Sequence, residues 1–548
     1  MIERIAEIIK LVVGEGLNDS RRPTTEGGLG PKFNVTPSEK PEFGHYATNV
    51  AFMVKEDPAV LAEKIMAESA SRRIFEKVSA TGKFINFWIS PEAFRDELKN
   101  ILSQKEKYGD SAIGGGKRVQ VEFISANPTG PLTMANGRGG FLGDALGNLL
   151  KKTGHVVEKE YYVNDTGKQV FILGESILAV AGKVPSAEEH YKGAYVKDLA
   201  KALDREIQGG MNSADLGRLA ANILLQSIKQ SVKQAGIKFD NWFSEYENLH
   251  QKGELKAVIK MLNGKGLTEE RDGAVWLKGG SAEEQKDRVL VKSDGQPTYF
   301  LPDIAYHYDK FIKRKFDRVI NIWGADHHGY IARLKAGVGA LGVNPDNLQI
   351  LMVQMVRLIE NGKEVKMSKR SGEFITLDDL LAEVDKDAAR FFFLMHNAET
   401  HMDFDMTLAK EKSQKNPVYY AQYAAVRCAS ILGKVGIAHR VLSILYKVLS
   451  ISKGDYLYLL QSESEMNLMK ELVQFPDLVL QTAKDYQMSR LVRYSLEVAR
   501  ALNNFYEKER VIVADKGLMG ARLALVKATR IVLEDVLGLL GVEIPKRM

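Results

Sequence analysis

The sequence predicts an α/β protein in which a parallel-sheet domain is flanked by a small α+β domain and an all-α domain. Three observations predict this. Strand and helix patterns mix in residues 1–110, apolar strands alternate with helices in residues 111–410, and helical periodicity continues without strand alternation in residues 411–548. The length of 548 residues suggests three or four packed units, at roughly 100–200 residues per domain.

The first region begins with MIERIAEIIKLVVGEGL, whose apolar residues recur at helical spacing among charges. This favours an amphipathic helix of a folded domain over a targeting segment. Further along, TGKFINFWIS alternates apolar and polar residues like a half-buried strand. SAIGGGK, residues 111–117, is interpreted as a linker to the next domain.

The middle region opens with a βαβ unit. RVQVEFISA is a predicted strand, NGRGGFLGDALGNLLKKTG a helix that ends at Gly154, and HVVEKEYYV a second strand. Its turn lies at the carboxyl end of the first strand, where open α/β sheets bind ligands. A mainly helical insertion at about 170–285 separates this half of the sheet from strands at DRVLVKSDG and FDRVINIWGADHHGY.

Composition excludes several classes of protein. A single cysteine, Cys428, excludes a disulfide framework and a cysteine zinc site and fits a reducing compartment, so we expect a buried, inert thiol and a cytoplasmic protein. No run approaches the roughly 18 consecutive apolar residues of a membrane span, which predicts a soluble protein. The net charge of +6 arises in residues 411–548, with 20 Lys and Arg against 14 Asp and Glu. That excess permits contact with a phosphate backbone, but a solvated helical face explains it as well.

The segment ISANPTGPLTMANGRGG places a rigid turn between a strand and a helix. Pro128 and Gly130 shape the turn, and Asn136 with the amides after it would begin a helix whose N-terminal end suits a phosphate. The alternative is a structural turn followed by glycines that let the helix pack closely on a neighbour. These glycines are Gly139, Gly143 and Gly147. A glycine-rich turn alone distinguishes weakly between the two.

The segment KMSKRSG lies between a predicted hairpin at Asn361-Gly362 and a helix capped by Thr376, with Asp379 at its third position. Its two lysines, Lys366 and Lys369, could stabilise charge on a polyphosphate leaving group. A solvated surface loop is the alternative. The phosphate site is favoured because five residues of this segment are specified, follow a predicted β-strand in the expected order and lie far downstream of the first turn.

GADHHGY, with Asp326, His327 and His328, could suggest a metal. Adjacent side chains rarely share one metal ion, and no third ligand lies nearby in the sequence. We therefore predict no metal held by protein side chains. The structural alternative is a turn at the end of a strand.

Together these segments resemble the signatures of class I aminoacyl-tRNA synthetases, and in detail the arginyl-tRNA synthetase family. The resemblance lies, in the family's order, in EFISANPTGPL, EYYVNDTGKQ, RVLVKSDGQPTYFLPDIAYH, WGADHHGYIARLKA, KMSKRSGEFITLDDLL, NPVYYAQYA and IPKRM. PEFGHYATNVAF and GKFINF resemble the family's additional N-terminal domain. The resemblance implies an arginine–tRNA ligase with a Rossmann-type catalytic domain, an N-terminal tRNA-binding domain and a C-terminal anticodon-binding domain. We expect a monomer without a membrane partner.

The resemblance also implies an arginine site. Paired carboxylates hold a guanidinium best, and Glu122 and Asp303 would do so, with Tyr299 against it and Asn127 on the α-ammonium. Other residues expected in this cleft are Ser125, Asn164, Asp165 and Gln169. The structural alternatives are a strand-edge charge for Glu122, a core aromatic for Tyr299, a helix cap for Asp303 and an Asn-Asp turn at 164–165.

ATP, with Mg²⁺, and tRNA(Arg) are the remaining implied partners. The expected ATP-binding residues are Pro128, Gly130, Thr133, Ala135, Asn136, Gly324, Asp326, His327, Met367 and Lys369, and the expected catalytic residues are Thr133, Asn136, Lys366, Ser368 and Lys369. Unpaired tRNA bases stack on aromatic and arginine faces. The candidates for this role are Tyr419, Tyr420, Tyr423, Arg427, Tyr506, Arg510 and the terminal Met548.

The sequence departs from the family at its first signature. The family has His-x-Gly-His where this chain has Thr133, Met134, Ala135 and Asn136. The histidines are thought to hydrogen-bond phosphates, so an Asn136 amide and a Thr133 hydroxyl could replace them. Ala135 replaces a glycine that leaves room for adenine, which predicts weaker ATP binding or slower activation.

Two other functions stay open from the sequence. One is a catalytically weakened relative that acts as a tRNA-binding protein. The other is a small-molecule adenylyltransferase that shares the nucleotide fold, which would not need a basic helical domain.

Overall fold

The N-terminal region of the computed structural model is an antiparallel sheet covered by helices. The structure describes residues 1–14, 33–38, 40–54, 56–279, 284–365, 375–436 and 456–548. The elements are α1 (Ile2–Val13), β1 (Val35–Pro37), β2 (Tyr46–Thr48), α2 (Pro58–Ser69), β3 (Phe75–Thr81), β4 (Phe84–Ile89) and α3 (Pro91–Gln104). The strand order is β1-β2-β4-β3. This confirms the predicted α+β fold of the region.

The middle region contains the parallel sheet and everything that surrounds it. Its first elements are β5 (Arg118–Glu122), α4 (Met134–Lys152), β6 (Val156–Val163), α5 (Gly167–Val180), α6 (Ala194–Ala202), α7 (Asp204–Gln208), α8 (Ser213–Gln234), β7 (Asn241–Ser244), α9 (Glu254–Gly264), β8 (Thr268–Arg271), β9 (Ala274–Leu277) and β10 (Arg288–Val291). They are followed by α10 (Phe300–Tyr308), β11 (Arg318–Gly324), α11 (Ile331–Ala340), β12 (Leu348–Val353), β13 (Val356–Glu360), β14 (Lys363–Glu364), α12 (Leu377–Glu383), α13 (Lys386–Leu394), β15 (Met402–Asp405) and α14 (Met406–Lys410).

Five strands form the central sheet in the order β12-β11-β5-β6-β7, and every neighbouring pair is parallel. All five strands therefore end at one edge, where β5, β6, β7 and β11 deliver their following loops side by side. Helix α4 crosses closely over this sheet. A Cβ on Gly143 would lie 2.2 Å from the Phe123 ring and one on Gly147 2.3 Å from Lys159. These glycines thus have the packing role that the sequence offered as an alternative.

Three predictions about this region were wrong in part. The helical insertion contains β7, which is an edge strand of the central sheet. The strand at DRVLVKSDG, β10, pairs with β9 in a separate three-stranded antiparallel sheet instead of the central one. Helix α4 begins at Met134, two residues before the predicted start at Asn136, with Thr133 as its N-cap. The hairpin at Asn361-Gly362 is confirmed, since both residues have positive φ between β13 and β14.

The described C-terminal residues are helical. The helices are α15 (Pro417–Gly436), α16 (Glu463–Val473), α17 (Phe475–Asp485), α18 (Ser489–Lys508) and α19 (Lys516–Leu540). Single helical turns of the 3₁₀ or π type occur through the chain at Pro41–Phe43, Val50–Phe52, Ala70–Arg72, Lys105–Lys107, Tyr246–His250, Asp309–Lys313, Ala325–Tyr330, Pro345–Asn347 and Tyr456–Leu459. The all-α prediction is confirmed. Cys428 is buried, and burial raises the pKa of its thiol to about 12, as expected of an inert cysteine.

Charged side chains join the helical region to the parallel-sheet region. Arg390 Nη1 pairs with Asp144 at 2.6 Å within the parallel-sheet region and also donates at 3.3 Å to the carbonyl oxygen of Leu540, which ends α19. Lys152 at the end of α4 pairs with Asp535 at 2.7 Å. Among the described helices, none combines the length and the apolar character needed to cross a membrane.

Candidate active site

The loop after β5 leaves the central sheet through a strained backbone. Ile124 and Ser125 have φ of 65° and 42°, which is unusual for non-glycine residues and especially for a β-branched one. Neighbouring tyrosines hold this loop. The Ser125 hydroxyl oxygen accepts the Tyr162 N–H at 3.1 Å, and the Tyr161 hydroxyl donates to the Ala126 carbonyl oxygen at 2.7 Å. Such strain concentrates at functional sites.

The turn continues past the residues expected to contact ATP. Asn127 hydrogen-bonds the side chain of Gln169 on α5, so these two predicted site residues lie together. Pro128 is buried, and Gly130 is half-buried. A Cβ on Gly130 would lie 3.6 Å from the Tyr195 hydroxyl oxygen of α6. The insertion therefore reaches the turn.

Thr133 and Asn136 form a capping box at the start of α4. The Thr133 N–H and hydroxyl both donate to Asn136 Oδ1 at 2.8 Å, and the Asn136 N–H donates to Thr133 Oγ1 at 3.3 Å. Within the described residues, no group accepts a hydrogen bond from Asn136 Nδ2. The Thr133 hydroxyl is thus occupied by the cap, whereas the Asn136 amide keeps its donors. Ala135, between them, is exposed.

Residues 366–374 lie outside the described residues, and with them the predicted Lys366, Met367, Ser368 and Lys369. The chain that follows meets the turn directly. Met134 N–H donates to the Ile375 carbonyl oxygen at 3.0 Å, and Leu377 N–H donates to the Leu132 carbonyl oxygen at 2.8 Å. Residues 375–377, where the described chain resumes, therefore adjoin the N-terminus of α4.

A group of buried acidic side chains lies at the carboxyl edge of the sheet. Glu122 ends β5, and its carboxylate pairs at 2.5 Å with Lys310, whose side chain is fully buried over the Tyr306 ring. Asp303 accepts a hydrogen bond from the Tyr330 hydroxyl. The pKa of Asp303 is raised to about 7, chiefly because its carboxyl group is removed from water. Repulsion from the charges of Glu245 and Glu122 raises it further. The three carboxylates are therefore close enough to interact.

Glu245 was missed by the sequence analysis. It follows β7 directly, is 7% exposed, accepts a 2.8 Å hydrogen bond from the Tyr162 hydroxyl and lies 3.0 Å from His250 Nε2. An acidic residue directly after a strand of the parallel sheet would have been a reason to predict Glu245. The sequence analysis did not recognise β7 as such a strand, because it assigned these residues to a helical insertion.

Tyr299 and Asp303 lie at the start of a helix and not at the end of a sheet strand. Tyr299 is the N-cap residue of α10 and is 63% exposed, and Asp303 lies in the first turn of that helix. Their spacing of four residues puts both on one face of α10. An exposed aromatic side chain beside a half-buried carboxylate suits a ligand with a flat cation.

Two further loops border the site. Asp165 accepts hydrogen bonds from the Ser244 hydroxyl at 2.5 Å and the Tyr246 N–H at 2.9 Å, which ties the ends of β6 and β7, while Asn164 beside it is half-buried. The other loop begins at Gly324, the last residue of β11. Gly324, Asp326 and His327 are exposed, and the Asp326 carboxylate lies 3.5 Å from His327 Nε2. Among the described residues, no three His, Cys, Asp or Glu side chains group together as metal ligands.

The C-terminal helices bring together four of the aromatic and arginine side chains named from the sequence. The rings of Tyr419 and Tyr423 stack with centroids 6.3 Å apart, and Arg427 lies over Tyr423 at 4.7 Å and over Tyr506 at 4.9 Å. Arg427 also donates to Asn503 Oδ1 at 2.7 Å. Arg510 and Met548 are exposed.

Three sequence profiles match the chain in succession. They are described as "Arginyl tRNA synthetase N terminal domain" at residues 3–89, "tRNA synthetases class I (R), catalytic domain" at residues 97–407, and "DALR anticodon binding domain" at residues 421–548. The arginine–tRNA ligase of Carboxydothermus hydrogenoformans is 41% identical and covers 99% of this chain and 100% of its own. The chain belongs to the arginyl-tRNA synthetase family.

Other members of the arginyl-tRNA synthetase family match as completely. The arginine–tRNA ligase of Acetivibrio thermocellus is 40% identical over 99% of this chain and 100% of its own. The solved arginyl-tRNA synthetase of Thermus thermophilus has the same fold, with a TM-score of 0.77 over 100% of both chains at 20% identity. The Thr-Met-Ala-Asn sequence at residues 133–136 contains the capping box that begins α4.

Proposed function

We propose that the chain joins L-arginine to tRNA(Arg) in two steps. In the first, an oxygen of the arginine carboxylate attacks the α-phosphorus of ATP, and pyrophosphate leaves as arginyl-adenylate forms. In the second, a terminal ribose hydroxyl of tRNA attacks the arginyl carbonyl carbon, and AMP leaves. Membership of the arginyl-tRNA synthetase family supports this activity.

The observation that supports arginine as substrate is the group of three neighbouring carboxylates, Glu122, Asp303 and Glu245, with Tyr299 on the same face of α10 as Asp303. Lys310 neutralises Glu122, so Glu245 and the ionised form of Asp303, whose pKa is about 7, remain as partners for the arginine guanidinium. A neutral isostere such as citrulline would leave the buried carboxylates unpaired. Unpaired buried charges are strongly unfavourable, and the pocket should therefore reject it.

ATP would lie along the turn at residues 128–136 and the loop at Gly324–His327. Asn136 Nδ2 donates to a phosphate oxygen in this proposal, and Lys366 and Lys369 stabilise the departing pyrophosphate. The described residues offer no carboxylate cage for Mg²⁺, which usually enters such sites on the substrate phosphates with most of its water. The protein contributes positioning and charge stabilisation.

The remaining assignments follow the same division of the chain. Residues 1–110 would contact the body of the tRNA, 111–410 carry the chemistry, and 411–548 bind the anticodon stem and loop. Bases would stack on Tyr419, Tyr423 and Tyr506 around Arg427, with Arg510 and Met548 at the margin. We also propose that the protein is a monomer and works in the cytoplasm.

Arginine-dependent exchange of pyrophosphate into ATP, measured with tRNA(Arg) present, tests this function. We expect exchange with arginine and none with lysine or citrulline, followed by charging of tRNA(Arg). No exchange and no charging at saturating ATP and Mg²⁺ would contradict the proposal and favour a tRNA-binding role. Exchange that survives removal of residues 411–548 undiminished would favour a small-molecule adenylyltransferase.

A further inference from the structure

A second polar cavity lies at the end of the central sheet opposite the active site. It has a volume of about 560 Å³ and is bounded by the residues that precede β5, β6, β11 and β12 and by the last turn of α17. This size is in the range of small-molecule sites. The cavity thus adjoins both the parallel-sheet region and the C-terminal helices.

Three cationic side chains from separate elements line this cavity. They are Lys117 before β5, Arg318 at the start of β11 and Lys484 in α17. Within the described residues, neither lysine has a carboxylate at ion-pair distance, and Arg318 donates to the Tyr486 hydroxyl at 3.1 Å. The three cations outnumber the one carboxylate of the cavity lining, that of Asp317, so the lining is net positive and its like charges repel one another. An anion in the cavity would remove that repulsion.

The acidic side chain that lines this cavity, Asp317, already accepts a hydrogen bond from the backbone. Asp317 Oδ2 accepts the Arg118 N–H at 2.7 Å, so the neighbouring backbone holds its carboxylate. Two carboxamides, Asn347 and Gln349, complete the polar lining. Guanidinium, ammonium and amide groups together are donors suited to phosphate oxygens.

The pKa of His155, which lines the cavity, depends on the positive charges there. Burial lowers its pKa, and the positive charges of Arg318 and Lys117 lower it further against the opposing hydrogen bond to Leu150. The Leu150 carbonyl oxygen can only accept, so His155 Nδ1 carries the proton in that 3.2 Å bond. A proton taken up when an anion binds would then go to Nε2.

We propose that this cavity is a second ligand site, distinct from the active site, that binds an oligophosphate group between the sheet and α17. Lys117, Arg318 and Lys484 hold the phosphates from three sides. Because the ligand touches both the sheet region and the helical region, its binding fastens the two together.

The test uses the full chain with its active site saturated by a non-hydrolysable arginyl-adenylate analogue, and inorganic tripolyphosphate as the probe. Calorimetry should give one tripolyphosphate per chain. In the NMR spectrum of ¹³C-labelled histidine, the His155 signal, assigned with His155→Gln, should shift and titrate at a higher pH. No binding once the active site is filled would overturn the proposal.

A double variant, Lys117→Ala with Lys484→Ala, removes two exposed ammonium groups without touching the core. We expect its affinity for tripolyphosphate to fall at least tenfold, about the loss of one charge-assisted hydrogen bond. Lys201→Ala, an 82% exposed lysine on α6, is the matched control and should bind as the parent does. Equal affinity in the double variant would overturn the site.

Two further titrations identify the source of the phosphates. ADP that binds more tightly than pyrophosphate would support the site with a nucleotide as its ligand, and equal affinities would support it with free inorganic oligophosphate. A single-stranded RNA that shifts the His155 signal when tripolyphosphate does not would overturn the proposal in favour of an RNA contact.

Discussion

Thr133 and Thr376 face each other in an isolated antiparallel bridge, and each is the N-cap of its own helix with a complete capping box. Asn136 closes the first box, and Asp379 closes the second. The hydrogen bonds beside the bridge join the proposed ATP-binding turn to Ile375 and Leu377. The N-terminal ends of α4 and α12 are therefore held together by one local contact.

Asn136→Ala should abolish most of the activation step. It removes the amide donor that the capping box leaves available, and one preorganised donor is worth about 10²–10³ in kcat. The measurement is the rate of arginine-dependent pyrophosphate exchange. Asn212→Ala, which removes the N-cap of α8 far from the turn, should lose a similar helix-capping free energy of about 1 kcal/mol and keep its kcat. An unchanged rate in Asn136→Ala would show that another group holds the phosphate.

Ala135→Gly should tighten ATP binding. Ala135 is exposed in the first turn of α4, where its methyl group would meet the adenine or ribose. We expect the KM for ATP to fall several-fold, while the variant loses roughly 0.5–1 kcal/mol of stability because glycine is less favourable in a helix. Ala59→Gly, at an exposed position in the first turn of α2, should lose stability alone. A KM that stays constant or rises in Ala135→Gly would refute crowding at this position.

The KM for arginine should depend on pH through Asp303. Its pKa of about 7 lies well above 3.8, chiefly because the side chain is buried, and a guanidinium binds the ionised form. As the pH falls below about 7, protons compete with arginine, and the KM should rise by up to about tenfold per pH unit. The KM for ATP, measured in the same buffers, should not follow this curve. A constant KM for arginine between pH 8 and 6 would exclude Asp303 as its partner.

Glu245→Gln should weaken arginine binding specifically. The substitution keeps the size of the side chain beside Tyr162 and removes its charge, so kcat/KM for arginine should fall about 10–100-fold, the worth of a hydrogen bond to a charged group. Glu247→Gln, an exposed acid two residues later, is the matched control and should be neutral. Equal kinetics in the two variants would place the guanidinium elsewhere.

Arg427→Ala should raise the KM for tRNA and leave the KM values for arginine and ATP unchanged. The variant removes the cation that lies over both Tyr423 and Tyr506, and loss of such a stacking contact is worth about 1–3 kcal/mol per base. Arg530→Ala on α19, which pairs with Glu534 on the surface, is the control. If both variants charge tRNA equally well, the tyrosine cluster is a structural contact only.

Local features of the fold could be predicted because their signals lie within a few residues. The Asn361-Gly362 hairpin and the Thr376–Asp379 capping box each depend on residues at fixed short spacing, and both are confirmed. Strand β7 was missed because its four residues are too few to show a period. β10 was assigned to the wrong sheet because a strand's sequence does not specify its neighbour.

The sequence by itself determined the order of the three folded regions, the Thr376 helix cap and the family, since these follow from contiguous patterns and short-range hydrogen bonds. Only the tertiary structure decided that Glu245 joins Glu122 and Asp303, that Lys310 neutralises Glu122, and that Lys117, Arg318 and Lys484 share a cavity. These groups come from strands and helices far apart in the chain. Strands pair through backbone amides and carbonyls common to every residue, so the sequence of one strand carries little record of its partner.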